Sequence, residues 1–303
     1  MSKSTISVYQ LFALVPDAET GRVWLESRLW PNGPRCPHCG LGERITPRKG
    51  GYYRCNQCKE DFTVRTGTVM ERSHIPLHKW VYAMYLVVTA RKGISSVQLA
   101  KEIGITQKSA WFMLHRLREA CGDKFEKLRG ITEIDETYVG GKEADKHADK
   151  KLHAGRGAVG KTAVLGMRER GGRTRAMPIE AADSDVIHDE IREHVEPGST
   201  IHTDEFAAYR GLVGFTHETV NHGASEFVRD DVTTNNIESV FAVLKRGIYG
   251  TFHHISPKHT HRYVDEFSFR LNEGNVKRHT LQRLDSFVDG TAGKRLTYRD
   301  LIG

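Results

Sequence analysis

Four cysteines constrain this chain more than any other feature. Cys36-Pro37-His38-Cys39 and Cys55-Asn56-Gln57-Cys58 are two Cys-x-x-Cys turns separated by fifteen residues. Each turn aims two thiolates at one point, so the pairs together supply a tetrahedral zinc. Gly50-Gly51 interrupt the loop between them, and Tyr52-Tyr53 and Phe62-Thr63-Val64 are strand-like pieces on either side of the second turn. The pattern predicts a zinc ribbon with Cys36, Cys39, Cys55 and Cys58 as ligands; coincidental free thiols are the plain alternative. Four thiolates leave no position for water, so this ion is structural rather than catalytic. His38 reads as a surface residue. Arg35, Arg44, Arg48, Lys49 and Arg54 would coat the module with positive charge, which suits a DNA phosphate contact.

Paired thiols of this kind belong in a reducing compartment. The start of the chain, Val8 to Val15, is interrupted, short and followed by acid, unlike a secretory leader. Trp80 to Ala90, the most apolar later stretch, is too short to span a bilayer. The expectation is a cytoplasmic, nucleoid-associated protein without a membrane partner. With 303 residues the chain can hold two domains and a small module. Its 45 Lys+Arg against 38 Asp+Glu leave a net charge of +7, which favours a polyanionic partner.

Residues 1–30 read as a helical lead-in, ended by Pro31-Asn32-Gly33-Pro34, and residues 31–72 as the ribbon. From 73 to 128 the pattern is helical. Trp80, Met84, Val87 and Val88 share one face. Ser95-Ser96 cap a short helix, Gly104 turns the chain, and Thr106 caps a longer one with Ala110, Leu114 and Leu117 inward. Ala100 and Gly104 between two short helices fit a helix-turn-helix, against the plainer reading of a three-helix linker bundle. The second helix is expected to turn Gln107, Lys108, Ser109, Trp111, His115, Arg116 and Arg118 outward, with Lys108, Ser109 and Arg116 on DNA. Cys121 reads as a small buried hydrophobe.

Residues 129–275 follow a different plan. Ile131–Val139 is β-prone and stops at Gly140-Gly141; a basic, Gly-rich stretch runs from Lys142 to Lys161. Thr162–Met167 and Arg173–Ile179 form a hairpin, Asp183–Val195 a helix, and Ser199–Thr203 a strand delivering Asp204. A helix from Glu205, a strand from Thr216 to Val220 and a last helix complete the order. That succession predicts an α/β domain with a mixed five-stranded sheet flanked by helices. Residues 276–303 are expected as a basic tail. In the last helix, Ile237, Val240, Phe241, Leu244 and Ile248 share one face, with Glu238 beside it. Lys245, seven residues on, projects from the same side as Glu238.

Asp135 lies in the first strand, Asp204 ends the fourth, and Glu238 follows Asp204 by 34 positions. If the first and fourth strands are neighbours, the three carboxylates converge at one end of the sheet. Such a cluster repels itself and needs divalent cations, and hard oxygen ligands suit Mg²⁺ or Mn²⁺. Two ions ~3.5–4 Å apart would activate a nucleophilic oxygen and stabilise the leaving oxygen of a phosphodiester.

Beyond the ribbon cysteines, several segments carry a resemblance. They are Ile134-Asp135-Glu136-Thr137-Tyr138-Val139-Gly140-Gly141, His202-Thr203-Asp204 and Thr233-Thr234-Asn235-Asn236-Ile237-Glu238. The last continues through Leu244-Lys245-Arg246-Gly247-Ile248-Tyr249-Gly250, His253-His254 and Phe267-Ser268-Phe269-Arg270-Leu271-Asn272. The chain resembles the bacterial insertion-sequence DDE transposases that join an N-terminal zinc ribbon to a ribonuclease H-like, integrase-like core. The resemblance implies Asp135, Asp204 and Glu238 as the catalytic, magnesium-binding triad, with Lys245 as the downstream basic residue and Arg246 beside it on DNA. Some relatives use an asparagine near the third acid, a part that Asn235 or Asn236 could share. His253, His254, His259 and His261 read as solvated or core-satisfied rather than as ligands.

The implied function is that of a transposase working on double-stranded DNA. It would bind terminal inverted repeats, hydrolyse a phosphodiester at the element's end, and join the freed 3′-hydroxyl to target DNA. Handling two ends together implies a homo-oligomer. A repair nuclease on the same core, or a DNA-binding regulator with an inactive core, are the alternatives.

Overall fold

Two reciprocal capping boxes start the chain's first helices. Ser7 and Gln10 cap α1 (Val8–Leu14), and Asp17 and Thr20 cap α2 (Ala18–Leu29). The computed structural model describes residues 5–122, 126–141, 147, 151 and 158–303. It divides into two compact units, Met1–Gly122 with Glu273–Gly303, and Asp123–Asn272.

In the first unit, β1 (Ile45–Arg48), β2 (Tyr52–Cys55) and β3 (Asp61–Phe62) form a three-stranded antiparallel sheet. Its small core is aromatic: Trp30 meets Tyr53 and Phe62 edge-on at 5.3 and 5.7 Å between centroids. Three helices follow. α3 (Leu77–Thr89) buries Trp80, Met84, Val87 and Val88. α4 (Ser96–Ile103) is capped by Ser95 and ended by Gly104, whose φ of 62° is the left-handed conformation that glycine takes without strain. α5 (Gln107–Cys121) is capped by Thr106.

The second unit is built on a five-stranded sheet. Its strands are β4 (Ile131–Val139), β5 (Thr162–Glu169), β6 (Thr174–Ile179), β7 (Thr200–Thr203) and β8 (Thr216–Thr219), in the order β6-β5-β4-β7-β8. β4 pairs antiparallel with β5 and parallel with β7, so the first and fourth strands of this unit are neighbours. α6 (Ser184–His194) covers one face, where Ile134, Leu165, Met167 and Ile201 pack with Ile187 and Ile191. After a two-stranded hairpin of β9 (Val228–Arg229) and β10 (Val232–Thr233), α7 (Asn235–Gly247) and α8 (Thr260–Leu271) cover the other. There Ile237, Phe241 and Leu244 meet Val139, Val164 and Phe267. Alternation along β4 sends Ile134 to the α6 face and Val139 to the α7 face, which is the period-two rule of a strand buried on both sides. This is the α/β domain with a mixed five-stranded sheet flanked by helices that the sequence predicts. The basic stretch 142–161 lies largely outside the described residues. The helix expected from Glu205 is only a 3₁₀ turn at Ala207–Tyr209, because Gly211, at φ 79°, breaks the run before a second turn can form.

The expected basic tail is not a loose appendage. It returns to the first unit as α9 (Thr280–Asp289) and α10 (Tyr298–Ile302), with Leu284, Phe287, Val288 and Leu301 fully buried. Apolar residues at 284, 287 and 288 have helical spacing, a signal that the tail's charge obscured. Arg283 donates to the Val88 carbonyl oxygen at 2.6 Å, and Lys294 to those of Glu119 and Gly122 at 2.6 and 2.8 Å. This packing corrects the reading of α5. His115, Arg116 and Arg118 are not outward but 0, 5 and 2% exposed. Arg116 donates to the Glu71 carbonyl oxygen and lies over the Trp80 and Phe112 rings, so its guanidinium is committed to the interior.

Candidate active site

Successive residues of β4 face opposite ways, so Glu133, Asp135 and Val139 share the face that α7 covers. Asp135 stands across the ladder from Gly166 of β5. On its other side β7 runs parallel, with Glu133 abreast of His202, so two further residues bring Asp204 level with Asp135. Asp204 Oδ1 accepts from the Phe206 N–H at 3.0 Å, which turns the chain at the end of β7. Glu205 accepts from the His222 and Gly223 N–H groups, both at 2.8 Å, tying the loop before β9 to this turn. Glu205's own backbone N–H, together with these two donors, holds its carboxyl below the usual range.

Glu238 enters from the first turn of α7. Its Oε1 accepts from the Thr234 hydroxyl at 3.1 Å and lies 3.8 Å from His222 Nε2. α7 reaches the sheet closely because Gly166 has no side chain. The helix's first turn is held by Glu133, whose Oε2 accepts from the N–H groups of Asn236 and Ile237 at 2.8 and 3.3 Å. Glu133 Oε1 accepts from Asn236 Nδ2 at 2.6 Å and from Arg170 at 3.3 Å. Asn236 and Asn235 are both exposed, and only Asn236 is tied to Glu133. Burial and the adjacent Arg170 push the His202 pKa down, which keeps its Nδ1 an acceptor for the Thr233 N–H at 3.4 Å.

Electrostatics draw the acids into one system. Burial pushes the Asp135 pKa up to about 7, and the carboxylates of Glu136, Asp204 and Glu238 add to the rise. Burial also raises Glu136, against the Tyr209 hydroxyl that donates to it at 2.7 Å. A buried acid surrounded by acids is stabilised by a cation, so the donor set suits a hard divalent ion. The ligand oxygens of Asp135, Asp204 and Glu238 do not all lie within 4.8 Å of one another. That spread exceeds one magnesium shell, whose opposite oxygens are about 4.2 Å apart at bond lengths near 2.1 Å. Lys245 is half-buried and Arg246 exposed near the far end of α7.

The cysteines form a separate centre. Cys36 and Cys58 sulfurs are 3.6 Å apart, Cys39 and Cys55 sulfurs 3.7 Å, and all four lie within 4.8 Å of one another. A tetrahedron of sulfurs ~2.3 Å from zinc has edges of about 3.75 Å, so the site fits that ion. The Cys58 N–H donating to the Cys55 sulfur brings its pKa down to about 6, toward the thiolate that a metal needs. Of the residues expected on DNA, Lys108 is exposed, its ammonium 4.7 Å from the Tyr298 ring, and Ser109 is half-buried in the Thr106 cap. His253, His254 and His261 are exposed, and His259 is buried against Arg262.

Sequence reasoning passed over Glu133, Glu136, Arg170 and Thr234. The first two carried a signal: acids alternating through an apolar strand, at 133 and 135, point into the same face. Arg170 carried none, since only the folded chain brings it to the acids; Thr234, four residues before Glu238, lay in the segment that carries the resemblance without a role.

Residues 127–272 match the family model of the ISXO2-like transposase domain, and residues 17–61 that of a transposase zinc-ribbon domain. An uncharacterized protein in transposable element ISH50 of Halobacterium salinarum is 33% identical over a 234-residue alignment that covers 72% of this chain and 78% of that protein. Among solved structures, the Mos1 strand transfer complex aligns over 72% of this chain and 79% of its own, at 10% identity and a TM-score of 0.32. The simian T-cell lymphotropic virus intasome in complex with PP2A regulatory subunit B56 gamma aligns over 64% of each chain, at 15% identity and a TM-score of 0.29. Among the described residues, no helix is long and apolar enough to cross a membrane.

Proposed function

The chain belongs to the ISXO2-like transposase family, and on that footing we propose that it cleaves DNA at the ends of its element and joins them to target DNA. The observation that supports this reading is that Asp135 and Asp204 stand on neighbouring strands and that the carboxylates of Asp204 and Glu238, the latter from the first turn of α7, both add to the raised Asp135 pKa. Asp135 and Asp204 would hold two magnesium or manganese ions between them, and Glu238 would complete the shell of one. When bound, the ions supply Lewis-acid activation of the attacking oxygen and charge stabilisation of the leaving one.

The protein's own groups do the rest. Asp135 and Asp204 would set the place between β4 and β7 at which the phosphodiester is met. Glu238, open to solvent at the helix edge, would take the proton of an attacking water or 3′-hydroxyl. Lys245 and Arg246, about 10 Å along α7 at 1.5 Å per residue, would grip a phosphate next to the cut. The zinc ribbon and the first turn of α5, through Lys108 and Ser109, would bind the terminal repeats, and the net charge of +7 favours that partner. A homo-oligomer would hold two ends at once.

A strand-transfer assay with Mg²⁺ tests the proposal. Joined products are expected from the wild type. Asp204→Asn should abolish cleavage while specific DNA binding stays near normal. Cuts without joining would make the protein a nuclease, and binding alone a regulator; either outcome overturns the reading.

A further inference from the structure

We propose that Glu133, seated by Arg170, is a positioning residue that fixes Glu238 relative to Asp135. The proposal rests on the reading of these acids as the reacting set. Glu133 is fully buried, and an unpaired carboxylate there would be costly. Its partners are all directed at one task. It stands two residues before Asp135 on the same strand face, and it holds Asn236, two residues before Glu238, by both backbone and side chain. The first and third acids are therefore linked through a short, rigid path: strand, carboxylate, helix turn.

The usual source of such a cap is absent. An N-cap side chain ordinarily accepts from the open N–H groups of its own helix. Thr234 does not; its hydroxyl donates to Glu238 Oε1 instead. The open donors of α7 are taken by an acid from the sheet, which also favours the positive end of the helix dipole. Arg170 completes the clamp. It donates to Glu133 and to the Asp231 carbonyl oxygen at 3.0 Å, and pairs with the Asp231 carboxylate at 2.8 Å. One guanidinium thus ties the β9–β10 hairpin to the strand that carries Asp135.

The test compares full-length Glu133→Gln, Asn236→Ala and Asp204→Asn. In metal-free protein, amide exchange at residues 236–238 should quicken about tenfold or more in Glu133→Gln, with the rest of the sheet unchanged. The Mg²⁺ concentration that half-saturates cleavage should rise about 10–100-fold, with kcat lowered and KM for end DNA within about twofold. Asn236→Ala, which removes one surface donor, should shift both readouts the same way by less, and it decides the matter if Glu133→Gln does not fold. Wild-type exchange and Mg²⁺ dependence in a folded variant would overturn the proposal, as would lost activity that follows lost DNA binding. If Asp204→Asn still cleaves, the underlying reading has failed; if it does not and Glu133→Gln behaves as wild type, only this inference has.

Discussion

Gly166 stands opposite Asp135 in the β4–β5 ladder, and a β-carbon built on it would come within 2.6 Å of the Phe241 ring and 2.8 Å of Ile237 Cδ1. Both side chains are buried and cannot swing away. The bare backbone at this position is what lets α7 approach the strand that carries the first acid. Gly166→Ala should therefore destabilise the protein by about 1–3 kcal/mol and reduce cleavage more than it reduces DNA binding. Denaturant unfolding alongside a cleavage assay checks this; an unaltered protein would mean that the helix has slack.

The Asp135 carboxyl sets a pH dependence. Its pKa of about 7 in the fold lies above the ordinary 3.8, so between those values the folded chain keeps a proton that the unfolded chain has lost. Stability contributed by this group is present at pH 4 and declines as pH climbs to 7, by up to about 4 kcal/mol. Asp135→Asn should accordingly be more stable than the parent at pH 8 without magnesium, and no different at pH 3.5. Urea unfolding across that range is the measurement, and a constant offset would contradict it.

Lys108 and Arg116 separate binding from folding. Arg116→Ala removes a buried guanidinium from over Trp80 and should cost about 2–4 kcal/mol, leaving DNA affinity of the folded fraction intact. Lys108→Ala should change stability by less than about 1 kcal/mol, weaken DNA binding, and lower the salt slope by roughly one. Calorimetric unfolding and salt-dependent binding would expose a reversal of these two effects.

Removing one zinc ligand should empty the ribbon. Cys55→Ser is expected to lose the zinc that the four cysteines of the wild type should hold and to weaken end binding. The second unit's unfolding transition should persist, because none of its strands includes a cysteine. Metal analysis with thermal unfolding reads both; retained zinc would mean that three thiolates suffice.

Local chemistry was legible residue by residue. Ser95, Thr106 and Asp183 each sit at the helix starts where capping places them, and Gly104 takes the left-handed turn. The order of strands and helices could be read from period and punctuation, whereas strand adjacency entered only as a condition that the β4–β7 ladder meets. Arg116 went wrong because amphipathic spacing identifies one buried face, and α5 has two. Its second cover takes the Arg116 guanidinium onto the Glu71 carbonyl oxygen and the Trp80 ring, both from an earlier segment of the chain.

From the sequence alone came the four clustered thiols and the succession of strands and helices, because each depends on spacing within a short segment, whereas the triad of Asp135, Asp204 and Glu238 came as what the resemblance implies. Tertiary structure decided how near α7 comes to β4, which guanidinium is interior, and that Glu133 holds the helix of Glu238. Those outcomes depend on contacts between residues 37 to 104 positions apart, and only chain closure brings such partners within hydrogen-bonding distance.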